Sequence, residues 1–182
     1  ALPFTVMAGS YSLINGIIAS YLVLYTQELG IPQISIYFTV CAAALFLMRP
    51  VSGKLMDKKG IRITVIPGML LTAGSMFILG RVGTLPLVLL TGVIRSLGQG
   101  AAQPSLQAGC IQRVGLKQSG VATSTYYLGG DICQGLGPMA GGLIVGHIAG
   151  LAGYRVVFDL CGIIMLCALV YFIFYTRKRN GD

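Results

Sequence analysis

Residues 49–62 read Arg49-Pro50-Val51-Ser52-Gly53-Lys54-Leu55-Met56-Asp57-Lys58-Lys59-Gly60-Ile61-Arg62, five basic residues and one acid confined to a short stretch. Uncharged apolar runs flank it, Ile34 to Met48 before and Ile63 to Leu79 after. About 20 mostly apolar residues carry a helix across the hydrocarbon core of a bilayer. Two such runs joined by a short, strongly basic connection read as two membrane helices and the cytoplasmic loop between them.

Working outward, the whole chain follows that plan. Of 182 residues, 55% are hydrophobic and 10% charged, against about 25% charged in a typical globular domain. A water-facing surface cannot be covered with so few charges. The 26 glycines are about twice the average usage of roughly 7%, with no collagen period, and suit closely packed membrane helices. Six spans emerge: 2–25, 34–48, 63–79, 85–106, 121–145 and 156–175, with 176–182 as a polar tail. The ten-residue alternation of membrane β-strands is absent from the sequence. The expected class is an all-α membrane protein, a single six-helix transmembrane domain.

Short-loop charge sets the orientation. Ten of the 13 basic residues fall on one side: Arg49, Lys54, Lys58, Lys59 and Arg62, then Arg113 and Lys117, then Arg177, Lys178 and Arg179. The opposite loops hold Arg81 and Arg155. Both termini are therefore expected on the cytoplasmic face of the cell membrane. The net charge of +8 lies at membrane edges, which argues against nucleic-acid binding. The five cysteines include no C-x-x-C pair and read as small packing residues. One histidine leaves no metal-ligand set or Ser/His/Asp constellation, so neither a cofactor nor an enzyme is expected. The first apolar run is too long for a cleaved signal peptide and lacks its basic start, and Ala1 reads as a cut point.

A faint internal repeat supports a 3+3 arrangement. Gly53-Lys54-Leu55 and Gly60-Ile61-Arg62 are echoed by Gly142-Leu143-Ile144 and Gly153-Tyr154-Arg155, each echo lying between the second and third helices of a triplet. Two triplets of opposite orientation form an inverted repeat, a transporter device.

The 49–62 stretch resembles the G-x-L-x-D-[R/K]-x-G-[R/K] loop signature of the major facilitator superfamily, as found between helices 8 and 9. Arg95-Ser96-Leu97-Gly98-Gln99-Gly100 with Gln103-Pro104-Ser105-Leu106-Gln107-Ala108 resembles helix 10, and Ser119-Gly120 resembles the start of helix 11. Gly137-Pro138-Met139-Ala140-Gly141-Gly142 is similar to the G-P-x-x-G-G end of the antiporter motif, which the family carries on helix 5; Cys133 stands where that motif has glycine. The resemblance covers essentially the whole chain. It implies helices 7 to 12, the C-terminal half of a twelve-helix transporter, with helices 1 to 6 supplying half of the substrate cavity.

Candidate residues follow from cost and spacing. An ionisable side chain at membrane depth costs about 2.5–3.5 kcal/mol on insertion scales and needs a partner, a cavity or a task. Arg95 and Asp131 each lie ten residues into a span, roughly 15 Å deep, and could pair with each other or couple proton movement. Arg95, Gln99 and Gln103 share one face of span four; Thr123, Tyr127, Asp131 and Gln134 share one face of span five. Both stripes serve either as interhelical glue or as cavity lining; the family resemblance places span four in the cavity. Tyr11, Asn15 and Tyr25 are the corresponding candidates on span one. In the basic loop, Gly53 would permit close helix approach, Asp57 would accept from a helix N-terminus or an arginine, and Lys58, Lys59 and Arg62 would meet anionic headgroups around Gly60, a breakable latch. Pro104 and Pro138 each remove a backbone hydrogen bond, making them, with Gly137, Gly141 and Gly142, candidates for packing or gating. Arg81, Glu28 and His147 read as solvated ends, and Asp159 as a partner of Arg155.

The expected function is one half of a secondary active transporter moving a small organic solute by alternating access, with proton-coupled efflux preferred. Uptake by the same fold and a non-transporting scaffold are the alternatives. The expected partners are lipid, a small-molecule substrate, protons, and either the N-terminal six-helix half or a second copy of this chain.

Overall fold

The computed structural model describes residues 2–114 and 119–178. Six helices account for nearly all of them: α1 (Leu2–Glu28), α2 (Ser35–Lys59), α3 (Ile61–Leu79), α4 (Leu85–Val114), α5 (Ser119–His147) and α6 (Leu151–Lys178). No strand occurs among the described residues. By length and composition α1, α2, α3, α4 and α6 are fit to cross a membrane. In α5, 29 residues long, Gly129, Gly130, Asp131, Gln134 and Pro138 dilute the apolar run.

The second and third helices meet differently from the expected loop. Helix α2 does not stop at Met48; it runs through Pro50 and the basic stretch to Lys59. Pro50 stands on an exposed face. The break comes at Gly60, whose φ of 82° lies in the region that favours glycine, and α3 starts at the next residue. The signature is therefore mostly the last turns of a helix. The tail differs likewise: α6 carries Arg177 and Lys178, while Arg179 and the rest of the tail lie outside the described residues, as does Lys117.

Packing follows the repeat. The heaviest contacts join α1 to α5, α3 to α4 and α2 to α4; of these, α1–α5 and α2–α4 are counterparts when the first three helices are exchanged for the last three. Helix α3 packs on α4 and α6 on α1, again counterparts, while α3 and α6 meet each other at the back. The architecture is a six-helix bundle of two three-helix units. One pair departs from the symmetry, since α4 touches α5 whereas α1 and α2 stay apart.

Aromatic rings fill the α1–α6 side. Tyr25 stands edge-on to Phe158, centroids 5.3 Å apart, and Phe4 edge-on to Tyr175 at 6.1 Å. Such pairs contribute about 0.5–1.5 kcal/mol beyond their burial. Tyr25 is fully buried and donates to the Val82 carbonyl at 3.1 Å, so it belongs to the core and not to a cavity.

Candidate functional site

Helix α4 brings its polar stripe together as i, i+4 spacing requires. The Arg95 guanidinium donates through Nη1 to Gln99 Oε1 at 3.1 Å. Gln99 Nε2 then donates to Gln103 Oε1 at 3.0 Å. The same Nη1 donates to Asn15 Oδ1 of α1 at 2.6 Å, so Asn15, named from span one, joins the stripe of span four. Tyr126 of α5 donates its hydroxyl to the Gln103 carbonyl at 3.2 Å. Three helices thus meet at one hydrogen-bonded chain.

Arg95 is buried, at 8% exposure, and the expected partner is not there. Asp131 is exposed on α5, and the ion pair among the described residues joins Arg81 to Asp159. Equal depth on two helices did not place the two side chains at the same angle around them. Arg95 Nε has no hydrogen-bond partner, and the buried Tyr11 hydroxyl lies beside Thr72. The Tyr37 hydroxyl lies beside the Arg95 guanidinium. Unspent buried donors are rare enough in native structures to need a reason.

A cleft of about 390 Å³ opens beside this chain, walled by α2, α4 and α5. Gln99, Gln103, Pro104 and Tyr127 line it, as expected of cavity residues, and Gly100, Gln107, Tyr126, Leu45 and Arg49 line it as well. Tyr11, Asn15 and Gln134 do not. Arg49 was hidden by reading residues 49–62 as a loop. With α2 continuous, it lies one helical turn beyond Leu45 on the same face. Tyr126 was hidden by Tyr127, its neighbour in sequence; one lies against α4 and the other, at 48% exposure, faces the opening.

The glycines and prolines of α5 have a visible task. The helices that carry Pro104 and Pro138 are both continuous. Pro138 has no N–H for the Gln134 carbonyl, and Gly16 of α1 sits against that carbonyl. Tyr21 donates to the Pro138 carbonyl at 2.6 Å. A Cβ added at Gly137 would lie 2.8 Å from the Leu13 carbonyl oxygen, and one at Gly141 or Gly142 2.8 or 2.9 Å from the Tyr21 ring and hydroxyl. This stretch packs α5 on α1.

The basic signature behaves differently from expectation. Gly53 has nothing within 4 Å of the position of an added Cβ, so it serves no close approach within this chain. Asp57 and Lys58 are exposed on the last turns of α2; of the Lys59 side chain nothing is described. Arg62 donates to the Thr176 carbonyl near the end of α6, where a cation offsets the negative pole of the helix. The clasp therefore ties α3 to α6. On the opposite edge Arg81 grips Asp159 through both oxygens, at 2.6 and 3.0 Å, in place of the expected Arg155–Asp159 pair, and the carboxylate raises the guanidinium pKa above its ordinary value.

No group of three or more potential metal ligands occurs among the described residues. The family model described as Major Facilitator Superfamily matches residues 4–182. Among curated proteins, the chain is 28% identical over 170 residues to the "Multidrug resistance protein MdtG" of Citrobacter koseri, covering 90% of this chain and 41% of that protein. It is 28% identical over 166 residues to the protein of that name from Salmonella paratyphi C, covering 87% and 40%. The Proteus mirabilis protein is 27% identical over 171 residues, covering 90% and 41%. The chain thus spans about two fifths of the length of the curated relatives it matches.

Proposed function

This multi-pass membrane chain belongs to the Major Facilitator Superfamily, and from that premise we propose that it forms one half of a secondary active transporter exporting small organic solutes in exchange for protons. The observation that carries the reading is the cleft beside the Arg95–Gln99–Gln103 chain. A hydrogen-bonded polar wall inside an apolar bundle is expensive unless it serves a solute path. Efflux as the direction is supported by the multidrug-resistance names of the relatives.

Alternating access then works by rocking this bundle against a second six-helix half, so that the cleft is exposed to one side of the membrane at a time. The second half closes the open side of the cleft, where Tyr127 is half exposed. Both ends of the chain lie on the cytoplasmic side of the cell membrane, with the basic residues of α2 and α6 at its surface. The spans are 2–25, 34–48, 63–79, 85–106, 121–145 and 156–175, each in one of the longer helices except that the second starts at Ile34, the residue before α2.

Asp131 is the proposed proton carrier. It is the acid of α5 and is exposed, one turn from the cleft residue Tyr127, so protons can reach it when that side opens. In the full transporter, reconstituted in vesicles with an imposed pH gradient, Asp131→Asn should abolish gradient-driven flux and leave solute binding measurable. Driven flux equal to that of the parent protein would remove Asp131 from the coupling step.

A further inference from the structure

The chain of amides beside the cleft has a direction imposed by its first member. A guanidinium has donors and no acceptor, so Gln99 must turn Oε1 toward Arg95, which leaves Nε2 for the next residue. Gln103 must therefore receive it on Oε1. The amide group left over at the cleft end is Gln103 Nε2, a donor. Orientation of an amide is settled by its network, and here the cation settles it for both glutamines.

The charge of the cleft points the same way. Its polar wall consists of three glutamines, two tyrosines and Arg49, with no acid. Behind Gln99 the Arg95 charge is buried, hydrogen-bonded to the Asn15 and Gln99 amide oxygens with the Tyr37 hydroxyl beside it, and keeps Nε unspent. A buried cation without a counter-ion is costly. Asp131, the acid on the neighbouring helix, is exposed outside the lining.

We infer that the cleft is an anion-accepting subsite, in which Arg49 and the donor end of the Arg95–Gln99–Gln103 chain hold the carboxylate or sulfonate of an amphiphilic organic anion. Charge-assisted hydrogen bonds are the stronger kind, and the low dielectric between the helices strengthens them further. Leu45, Pro104 and the Tyr127 ring receive the apolar part of the same molecule. The inference rests on the transporter reading for its ligand and adds the sign of the charge that this half selects.

The test uses the full transporter in lipid nanodiscs and two dyes with one xanthene skeleton, fluorescein as the dianion and a rhodamine ester as the cation, titrated by fluorescence anisotropy. Fluorescein should bind at least about tenfold more tightly than the rhodamine, the size of one charge-assisted hydrogen bond. Arg49→Gln should remove most of that preference and Arg49→Lys should keep it. Gln103→Glu, which still accepts from Gln99 but presents a carboxylate to the cleft, should turn the preference toward the rhodamine. Arg49 is exposed on α2, so its variants should keep the thermal unfolding midpoint of the parent. Equal or tighter rhodamine binding by the parent protein, binding of neither dye, or an Arg49→Gln variant with full fluorescein affinity would each overturn the inference. Flux separates the two readings: dye transport without anion preference removes this inference alone, and anion binding without flux under any gradient removes the transport reading alone.

Discussion

The α1–α5 seam and the α2–α4 seam occupy equivalent places in the two-unit bundle, yet the first leaves only an apolar gap of about 70 Å³ against α6 and the second opens into the polar cleft of about 390 Å³. On the first, Gly16 meets the Gln134 carbonyl and Gly137 the Leu13 carbonyl, so backbone lies against backbone. On the second, Gly92 meets the Tyr37 ring, and Gly100 meets Met48 first and the Leu45 carbonyl at a greater distance, so side chains make the nearest contacts between the helices. Small residues let membrane helices approach closely; what they approach decides the gap. Where glycine faces a carbonyl the backbones touch, and at Gly92 and Gly100 the facing side chains hold the helices apart beside the polar wall that Gln99 and Gln103 supply.

The sharpest way to break the contrast is Gly16→Ala. The added methyl would collide with the Gln134 carbonyl, an atom held in place by α5 itself. Overpacking of a tight contact costs typically about 1–3 kcal/mol, and here relief requires separating two helices. The variant should lower the thermal unfolding midpoint in detergent by more than any other single-methyl change compared below. An unchanged midpoint would mean that the two helices are not held at this distance.

Much of this was legible beforehand, and the parts that were not share a cause. Helical spacing alone picked out Arg95, Gln99 and Gln103, because i, i+4 neighbours touch whatever surrounds them. The contact of Asn15 with Arg95 joins different helices, and spacing within one helix carries no information about it. The Arg95–Asp131 pair was expected from depth, but depth leaves the angle around the helix axis undetermined, and Asp131 proved exposed. Arg49 was missed for a local reason. A proline and a run of charge look like a helix end, whereas Pro50 lies inside α2 and the chain turns only at Gly60. The glycines of α5 were recognised as packing or gating candidates; their partners, Leu13 and Tyr21, could be found only from the paired structure.

On the open seam the comparable change, Gly100→Ala, should be mild. The nearest atom to the new methyl is Met48 Cβ at 3.0 Å, with Met48 Cγ and the Leu45 carbonyl oxygen at 3.4 Å; methionine side chains adapt readily, and the carbonyl stands at the edge of ordinary contact. The expected stability loss is about 1 kcal/mol or less, clearly below that of Gly16→Ala. Gly100 also lines the cleft, so the methyl should weaken binding of bulky solutes more than it weakens the fold. A midpoint loss equal to that of Gly16→Ala would show that the two seams are equally tight and that the cleft owes its existence to something other than side-chain spacing.

The smallest effect belongs to Gly135→Ala, which separates packing from glycine content. Gly135 lies on α5 between Gly130 and Gly137, two residues in close contact with α1, yet nothing of this bundle stands within 4 Å of a Cβ placed there. Inside a helix, alanine is favoured over glycine by up to about 1 kcal/mol. In the six-helix chain the midpoint should therefore hold or rise slightly. The same substitution in the full transporter asks a further question, because glycine on an exposed helical face is a cost that nothing within these six helices repays. If it is harmless there too, the residue is a bystander and the α1–α5 seam owes its tightness to the glycines that touch the partner helix, Gly16, Gly130 and Gly137 among them. A loss in the full transporter that is absent from the six-helix chain would place a helix of the other half against α5 at this level, making α5 tight on both faces and the α2–α4 seam the compliant side of the bundle.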